Sequence, residues 1–358
     1  MTPMPDTPAP QSRAIASVDD LLQARLAPPD ARAGLEAVAQ EFRIRLTPEM
    51  HAAIAPDTPP ADPVARQFVP DARELQIRPE ELHDPIGDAT HSPVPGLTHR
   101  YPDRVIVHLT QTCAVYCRFC FRRETVGADG ALPEAELQAA LDYIAARPAI
   151  FEVILTGGDP LVLSARRLDD VMRRLCAIPH LGVVRVHSRV PVVAPERITP
   201  ALIGALKRHP ASHVVVHTNH AQELTGAARA ALGRLVDAGI PLLSQSVLLR
   251  GVNDDADTLE ALFRALIALR VKPYYLHHCD LARGTGHFRT TIAEGQAIME
   301  RLRMRLSGLA LPSYVIDIPG GYGKVPIGPD YVQPETEPGA HLLRDPRGQT
   351  HRYRDPAR

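Results

Sequence analysis

Short apolar runs alternate with longer amphipathic segments along most of the chain after residue 104. The short runs predict strands at residues 105–109, 151–155, 183–187, 213–217, 241–245, 273–277 and 314–316. The longer segments repeat their apolar positions with helical period. They predict helices at residues 133–146, 165–177, 200–207, 227–238, 255–268 and 292–306. Such alternation is typical of βα units built on a parallel sheet.

Polar or glycine-rich residues follow directly after nearly every predicted strand. Three cysteines follow the first strand, the sequence TGGDP at residues 156–160 follows the second, and Asp317 follows the last. In barrels of βα units, the loops after the carboxyl ends of the strands build the active site. The pattern has six units and one terminal strand, whereas a closed barrel has eight units. We therefore expect an α/β fold, a TIM-like partial (β/α)6 barrel that is open on one side for a large substrate or cofactor.

The chain outside the alternating region is rich in proline. Of 35 prolines, most lie before residue 100 or after residue 319. The predicted divisions are an N-terminal helical and Pro-rich extension (1–99), a barrel core (100–311) and a C-terminal tail (312–358). Within the extension, residues 1–16 are predicted to be disordered, and helical patterns cover residues 18–26, 35–42 and 48–54. The extension is either an arm packed on the barrel or an irregular segment without a function of its own.

Composition narrows the function classes. The chain has 358 residues, 45% apolar residues and a net charge of −1, so no bulk attraction to nucleic acid or to an anionic membrane is expected. It has no Trp and few other aromatic residues, so platforms that stack nucleotide bases are not indicated. The N-terminus has no signal-peptide pattern, and no apolar run is long enough to span a membrane. With five cysteines, the chain is expected to be cytoplasmic.

Three of the five cysteines form a compact motif. Cys113, Cys117 and Cys120 have the spacing C-x3-C-x2-C in the sequence TQTCAVYCRFCFRR. Three ligands are one fewer than a closed structural zinc site or a fully protein-ligated cubane uses. A [4Fe–4S] cluster held by three thiolates leaves one iron open to a small molecule. The alternatives are a zinc site completed by a nearby histidine, and a disulfide, which the absence of an export signal disfavours.

Two further motifs contain glycines where a ligand could approach the backbone. Gly157 and Gly158 follow the second strand, although a Gly-Gly-Asp-Pro segment by itself is usually only a turn. Lys324 ends the sequence DIPGGYGK, and a partly desolvated lysine behind flexible glycines suits a covalent imine with pyridoxal 5′-phosphate (PLP). This second motif is not a Walker P-loop, because Val325 stands where that loop needs Ser or Thr.

Taken in order, the motifs resemble the lysine 2,3-aminomutase family of radical S-adenosylmethionine (SAM) enzymes. They comprise the cysteine loop, GGDP, SRVP, TNH, QSVLLRGVND, HCDLARGTGHFRT and IDIPGGYGK, between about residues 98 and 326. The resemblance implies a partial barrel of the radical SAM type with three cofactors: a [4Fe–4S] cluster, SAM and PLP. It also implies an isomerase that interconverts L-lysine and β-lysine (3,6-diaminohexanoate) by a 1,2-amino shift.

The resemblance assigns roles to individual residues. Cys113, Cys117 and Cys120 are the cluster ligands, and Lys324 is the lysine that binds PLP covalently. Gly157, Gly158 and Asp159 match the segment that contacts SAM, and Arg100 and Arg104 match positions near the PLP phosphate. Apart from the resemblance, polar contacts to SAM or another cofactor are expected at the sheet from Ser188, Arg189, His217 and Gln245. For single residues there are simpler readings, because a histidine at a strand end is as often a structural group, and arginines before a first strand often lie on the surface.

Substrate contacts follow from the same resemblance. Lysine-specific members hold the ε-ammonium of the substrate with two aspartates thirty-seven positions apart, and Asp280 and Asp317 have that separation. Arg122 matches the arginine that binds the substrate carboxylate. Two carboxylates also compensate the desolvation of a buried ammonium. Glutamate-specific relatives replace the acidic pair, so glutamate is not expected. The partners implied are L-lysine, a reducing electron donor such as flavodoxin or ferredoxin, and a second copy of the chain in a homo-oligomer.

The C-terminal part departs from the longer aminomutases. No cysteine follows Cys279, and residues 327–358 are short, Pro-rich and charged, so the zinc site and assembly segment of the longer members have no visible counterpart. Cys176 is expected in a helix core, and Cys279 is expected to be structural. Two rival functions remain at this point. One is a relative that makes (R)-β-lysine for attachment to a translation elongation factor, and the other is a non-enzymatic scaffold with a three-cysteine zinc site.

Overall fold

A computed structural model describes residues 13–57, 59–127 and 130–356 of the chain. The strands that it describes are β1 (Leu97–Tyr101), β2 (Arg104–Thr110), β3 (Glu152–Gly157), β4 (Val183–Ser188), β5 (Ser212–His217), β6 (Leu242–Leu248), β7 (Val271–His278), β8 (Ser313–Asp317), β9 (Lys324–Pro326), β10 (Val332–Pro334), β11 (Ala340–Arg344) and β12 (Thr350–Arg354). The α-helices are α1 (Val18–Gln23), α2 (Arg32–Glu41), α3 (Pro48–Ala53), α4 (Ala65–Phe68), α5 (Glu134–Ala145), α6 (Ala165–Cys176), α7 (Val190–Val193), α8 (Pro200–Leu206), α9 (Gly226–Asp237), α10 (Ala256–Ala268) and α11 (Ile292–Arg305).

Strands β1 to β9 form one sheet in chain order. Strands β2 to β8 are parallel, whereas β1 pairs antiparallel with β2 and β9 pairs antiparallel with β8. The parallel strands bring their carboxyl ends to the same edge of the sheet. The curled sheet with helices between its strands is the partial (β/α)6 barrel expected from the sequence, and that prediction is confirmed.

The helices between the strands are amphipathic, and their apolar stripes face the sheet. Helix α6 shows the pattern, because Leu168, Val171, Met172 and Leu175 are its buried residues and follow the helical period. Ser164 begins this helix by accepting a hydrogen bond from the backbone N–H of Arg167. All seven predicted strands and six predicted helices appear within a few residues of their predicted bounds.

The structure adds strands that the pattern did not predict. Strand β1 is short and mostly polar, and β9 has three residues, so neither contains an apolar alternation long enough to indicate a strand. Strands β10, β11 and β12 form a separate antiparallel sheet in the C-terminal tail. Every residue of β10 and β12 is exposed, so these strands have no buried face that would have marked them in the sequence.

The extension packs on the barrel. Thr47 donates a hydrogen bond to the carbonyl oxygen of Val193 at 2.6 Å, and Leu82 pairs with Ala282 in a parallel bridge. The side chains of Ile15, Leu46 and Phe68 belong to the same buried core as the barrel strands. Ile15 also pairs with Leu46, so the predicted disorder is wrong for this residue, while residues 1–12 lie outside the described part. In the described residues, no helix is long and apolar enough to cross a membrane.

Candidate active site

The cysteine loop leaves the end of β2 and passes the carboxyl edge of the sheet. Cys113, Cys117 and Cys120 are all free and half-buried, and they line one cavity together with Phe42 and Tyr116. Burial, with a further contribution from Cys117, raises the pKa of the Cys120 thiol to about 11. Such thiols ionise only when a strong cation compensates them, and cluster irons supply that charge. In the described residues no three potential ligands surround a single point, whereas in a cubane each thiolate binds a different iron.

Arg189 links the cysteine loop to the extension. Its guanidinium donates to Sγ of Cys117 at 2.9 Å, to Glu223 at 2.6 Å and to the side-chain oxygen of Gln67 at 2.5 Å. Asn219 donates to the same oxygen of Gln67 at 3.0 Å. Because Glu223 is completely buried, the arginine is its compensating charge. The contact places a fixed positive group against one of the predicted cluster ligands.

A second ion cluster fixes the other side of the loop. The guanidinium of Arg118 donates to Glu74 at 2.9 and 2.5 Å, and Arg123 donates to the same carboxylate. Arg118 also donates to the backbone oxygen of Arg43 at 2.8 Å, and the Arg123 guanidinium lies 3.6 Å from the centre of the Phe42 ring. The extension therefore supplies the carboxylate that holds two arginines of the cysteine loop.

Gly157 and Gly158 end β3 directly against the cysteine loop. Gly157 has a φ of +114°, and a Cβ atom there would lie 2.4 Å from the carbonyl oxygen of Thr110. A Cβ atom on Gly158 would lie 2.3 Å from the carbonyl oxygen of Thr112. Only glycine permits this approach. The two residues therefore join the second strand end to the cysteine loop, and their contact with SAM stays a prediction.

Asp159 holds the loop that follows β4. Its carboxylate accepts the Ser188 hydroxyl at 2.7 Å and the backbone N–H of Arg189 at 2.7 Å, and it also accepts from the backbone of Leu161 and Val190. Burial nevertheless raises its pKa. In this structure Asp159 and Ser188 bind each other, so their expected contribution to a cofactor site is to shape it, and direct contact stays a prediction.

His217 ends β5 and is paired in register with Gln245, which lies in the middle of β6. Nε2 of His217 lies 3.3 Å from Nδ1 of His187 on the neighbouring strand β4. Burial, followed by the charge of Arg189, lowers the pKa of His217 to about 3, so this histidine is neutral. A neutral ring and a carboxamide offer hydrogen bonds without charge, which suits the predicted cofactor contacts.

Lys324 and Asp317 face each other across strands β8 and β9. They are partners in the antiparallel register, and Nζ of Lys324 donates to Oδ2 of Asp317 at 2.6 Å. Nδ1 of His277 lies 3.5 Å from the same oxygen. Burial alone would raise the pKa of Asp317, but the hydrogen bond with His277 and the charge of Lys324 outweigh it and lower the pKa. The backbone N–H of Lys324 donates to the hydroxyl of Tyr101 at 2.8 Å.

Asp280 follows β7 and lines the same cavity as Asp317, together with Cys279 and Thr290. Burial and then the charge of Asp317 raise the pKa of Asp280 to about 7. Its carboxylate has no hydrogen-bond partner among the residues that the structure describes. Two neighbouring carboxylates, one buried (Asp317) and one half-buried (Asp280), form a site for a cation. The structure thus brings together the predicted acidic pair.

Arg122 and Arg100 meet at a residue that the sequence did not indicate. Nε of Arg122 donates to Oδ2 of Asp88 at 2.7 Å, and Nη2 of Arg100 donates to Oδ1 of Asp88 at 3.0 Å. Nη1 of Arg100 lies 4.0 Å from Oδ1 of Asp317. Arg104 instead lies over the ring of Tyr101 at 3.7 Å. Arg100 and Arg104 are the two arginines predicted near the PLP phosphate. Arg100 lies next to Asp317, and Arg104 lies on Tyr101. Both of these neighbours accept a hydrogen bond from Lys324.

The residues present fit the three expected cofactors. Three thiols around one cavity suit an iron–sulfur cluster. Lys324 is half-buried with its amine in the site, and Nε of Arg100 is buried without a hydrogen-bond partner among the described residues. An unsatisfied buried guanidinium donor is what a phosphate or carboxylate anion would satisfy. The three cysteines would hold the cluster that binds SAM, and Lys324 and Arg100 would hold PLP.

Sequence reasoning missed Asp88 and Glu74, because both lie in the Pro-punctuated extension and their partners are distant along the chain. Asp88 follows a turn and Glu74 is one of many acidic residues, so no local signal distinguishes them.

The expectation that Cys176 is buried is wrong, since its side chain is exposed at the end of α6. Cys279 is buried, as expected for a structural residue.

Comparison with known proteins agrees with this geometry. A model described as the radical SAM superfamily matches residues 107–262, and a model described as lysine-2,3-aminomutase matches residues 299–358. The chain is 42% identical over 324 residues to an L-lysine 2,3-aminomutase of Clostridium subterminale, covering 90% of this chain and 77% of that protein. It is also 36% identical over 322 residues to a glutamate 2,3-aminomutase of Clostridioides difficile, covering 90% of this chain and 76% of that protein.

Among solved structures, Streptococcus suis SuiB bound to S-adenosylmethionine aligns with a TM-score of 0.45 at 12% identity, covering 61% of this chain and 51% of that one. The curated relatives are far more similar in sequence. They confirm the resemblance that the motifs indicated, and with it the [4Fe–4S] cluster, SAM and PLP as the cofactors of the family. The chain therefore belongs to the lysine 2,3-aminomutase family of radical SAM enzymes.

Proposed function

We propose that this protein is an isomerase that interconverts L-lysine and β-lysine by a 1,2-amino shift. The observation that carries the proposal is the pair of carboxylates, Asp280 and Asp317, in one cavity beside Lys324. When bound, the cluster with SAM supplies a radical that abstracts hydrogen, and PLP supplies the conjugated system that lets the amino group migrate. The protein itself has to hold the substrate at both ends and keep water away.

The two ends of a lysine substrate have separate anchors. Arg122 uses Nε for Asp88, and its two Nη groups have no partner among the described residues, so they remain for a carboxylate. Asp280 and Asp317 receive the ε-ammonium. Burying an ammonium is costly unless carboxylates compensate it, and Asp280, whose pKa is raised to about 7, becomes ionised when that cation binds.

The same pair discriminates against glutamate. A distal carboxylate would face Asp317, whose pKa is lowered and which is therefore ionised. Like charges in a partly buried site repel by several kcal/mol, of order ~4 kcal/mol at 4 Å with an effective dielectric constant of about 20. The acidic pair therefore favours the binding of lysine and opposes the binding of glutamate. We therefore propose lysine as the substrate, even though the chain is also similar to a glutamate aminomutase.

Lys324 has two alternative partners in this proposal. Without PLP, its ammonium lies on Asp317, where the ε-ammonium of the substrate would bind. If Lys324 held PLP covalently, its amine would no longer be available to pair with Asp317. This carboxylate would then be open to the ε-ammonium of the substrate.

We also propose that a reducing electron donor docks beside the cysteine loop in a reducing cytoplasm. Arg43 and Arg45 are exposed, while Phe42, Ile44 and Leu46 between and beside them are buried. Arg43 lines the cavity that contains the cluster ligands, and the backbone oxygen of Arg45 accepts the N–H of Tyr116. An acidic flavoprotein or ferredoxin suits this basic edge. If replacing both arginines with Gln leaves the rate of cluster reduction by flavodoxin and its salt dependence unchanged, this docking site is wrong.

The deciding experiment is anaerobic turnover. The protein is reconstituted with iron, sulfide and PLP, and then given SAM, dithionite and L-lysine or L-glutamate. We expect β-lysine and no β-glutamate, and chiral chromatography of the β-lysine separates a free metabolite from the (R)-product used for a translation elongation factor. Cleavage of SAM without β-lysine would reject lysine as the substrate.

Variants locate the activity in the site. Lys324→Ala is expected to abolish turnover and covalent PLP absorption while leaving the iron–sulfur absorption intact. Arg208→Lys, in an exposed ion pair with Asp169, serves as a control with unchanged turnover. Full activity of Lys324→Ala would refute its assignment.

A homo-oligomer stays a prediction from the family, and sedimentation of the reconstituted protein tests it.

A further inference from the structure

Asp88, a residue of the N-terminal extension, lies between the two arginines that are expected to hold anions. Its Oδ2 accepts Nε of Arg122 at 2.7 Å, and its Oδ1 accepts Nη2 of Arg100 at 3.0 Å. The three side chains are only 18%, 13% and 8% exposed, respectively. A single carboxylate thus joins the expected anchor of the substrate carboxylate to the expected anchor of the PLP phosphate.

The backbone around Asp88 is held from both sides. The side chain of Asp84 accepts the backbone N–H groups of Asp88 at 2.9 Å and Ala89 at 2.8 Å. The backbone N–H of Gly320 donates to the carbonyl oxygen of Pro85 at 3.0 Å. Gly87 has a φ of +65°, and a Cβ atom there would lie 2.6 Å from the carbonyl oxygen of Gly320. The turn that carries Asp88 is therefore fitted against the glycine loop between Asp317 and Lys324.

We propose that Asp88 is a positioning residue that fixes the guanidinium groups of Arg100 and Arg122 relative to each other. The proposal rests on the proposed function, because that function gives each arginine its anion. By engaging Nε of Arg122, Asp88 sets the plane of the guanidinium and leaves both Nη groups to the substrate carboxylate. By engaging Nη2 of Arg100, it fixes that guanidinium while the buried Nε, which has no partner among the described residues, stays available to the phosphate and Nη1 faces Asp317 at 4.0 Å.

A positioning role and a merely neutralising role of Asp88 predict opposite changes in anion affinity when Asp88 is replaced. If Asp88 only cancelled positive charge, its loss would leave two partly buried guanidinium groups more attractive to anions, and PLP and lysine would bind more tightly. If Asp88 positions the arginines, its loss lets both side chains turn away from each other. The anions then bind more weakly despite the greater positive charge, because a misplaced bidentate contact loses its geometry.

The test compares Asp88→Asn and Asp88→Glu with Asp169→Asn, a matched change at an exposed aspartate paired with Arg208. The first readout is PLP binding to the apoprotein, followed by its absorption, which does not depend on turnover. We expect the dissociation constant to rise about tenfold in Asp88→Asn, corresponding to about 1.4 kcal/mol, to rise less in Asp88→Glu, and to stay unchanged in Asp169→Asn.

The second readout uses two ligands that differ only at the arginine end. L-Lysine carries the α-carboxylate and cadaverine lacks it, whereas both have the ammonium group that meets the acidic pair. In the PLP-saturated enzyme we expect Asp88→Asn to raise the dissociation constant of lysine about tenfold or more and to leave that of cadaverine unchanged. Intact cadaverine binding also shows that the variant is folded.

Equal or tighter PLP binding in Asp88→Asn, together with an unchanged ratio of lysine to cadaverine affinity, would overturn the proposal. A parallel loss of both ligands would overturn it too, since it would show a structural role without specificity for the arginine end. If wild-type protein converts no lysine, the proposed function fails, but PLP binding to the variants still decides whether Asp88 positions Arg100.

Discussion

Replacing Glu74 with Gln is expected to destabilise the protein strongly, because one carboxylate compensates two buried arginines. The side chains of Glu74, Arg118 and Arg123 are 0%, 2% and 4% exposed. Both arginines belong to the cysteine loop and the glutamate belongs to the extension. Desolvation raises the pKa of Glu74, but the charge and hydrogen bond of Arg118 and the charge of Arg123 outweigh this and lower it. The carboxylate is thus ionised at neutral pH.

The size of the effect follows from this burial. A Gln side chain has nearly the same shape, but it removes the negative charge and turns an NH₂ group toward guanidinium donors. Breaking a buried ion pair by neutralising one partner costs about 3–5 kcal/mol, because the other charge stays buried without compensation. With a urea m-value near ~3 kcal/mol/M for a chain of this size, the midpoint of unfolding falls by about 1–2 M.

The assay is equilibrium urea unfolding of the reduced apoprotein, followed by circular dichroism under argon. Glu36→Gln is the matched control, because Glu36 is 52% exposed in its pair with Arg32, and we expect no measurable change there. Iron content is measured on separately reconstituted protein and should fall in Glu74→Gln, since the loop carrying the predicted cluster ligands loses its anchor. A midpoint within about 0.3 M of the wild-type value would refute the reasoning.

Two other changes test the glycine junction and the acidic pair. Gly157→Ala puts a Cβ atom 2.4 Å from the Thr110 oxygen. It should lower the unfolding free energy by more than about 2 kcal/mol and impair SAM cleavage. In the control Gly233→Ala, in helix α9 with open space around the residue, the unfolding free energy should rise by about 0.5–1 kcal/mol. Because the pKa of Asp280 is raised to about 7, the affinity for lysine should increase as the pH rises through 7. Below pH 7, lysine binding should release a proton from Asp280. Calorimetry in buffers of different ionisation enthalpy measures this proton release, and its persistence in Asp280→Asn would contradict the assignment. Without lysine, the same shift lowers stability as the pH rises from about 4 to about 7, since the folded state binds the proton more tightly than the unfolded state.

Much of the barrel could be predicted because its information is local. Strands β2 to β8 and the helices between them each carry their own apolar period within about fifteen residues. The unpredicted strand β9 depends instead on its partner: residues 324–326 pair with β8 and have no pattern of their own. Yet this short strand places Lys324 opposite Asp317, so the element that positions the predicted PLP lysine was among the least visible in the sequence.

The site divides in the same way between local and distant information. The cysteine motif and the glycine-lysine motif are each contained in one loop, and the family resemblance that they carry together with the other motifs implied a cluster and a covalent PLP site. The acids that support the arginines are not local. Glu74 is 44 positions from Arg118, and Asp88 is 34 positions from Arg122. Apolar periodicity carries no information about which carboxylate will meet which guanidinium, so these contacts required the structure.

These distant contacts bear on how the extension and the barrel depend on each other. Glu74 holds Arg118 and Arg123, Asp88 holds Arg100 and Arg122, and all four arginines belong to β1 or to the cysteine loop. A barrel without the extension would lose both carboxylates that compensate these four cations, and breaking a buried ion pair costs several kcal/mol. Native proteins are stable by only about 5–15 kcal/mol. We therefore infer that the extension and the barrel form one folding unit, in which the extension supplies the negative charge that holds the arginines in place.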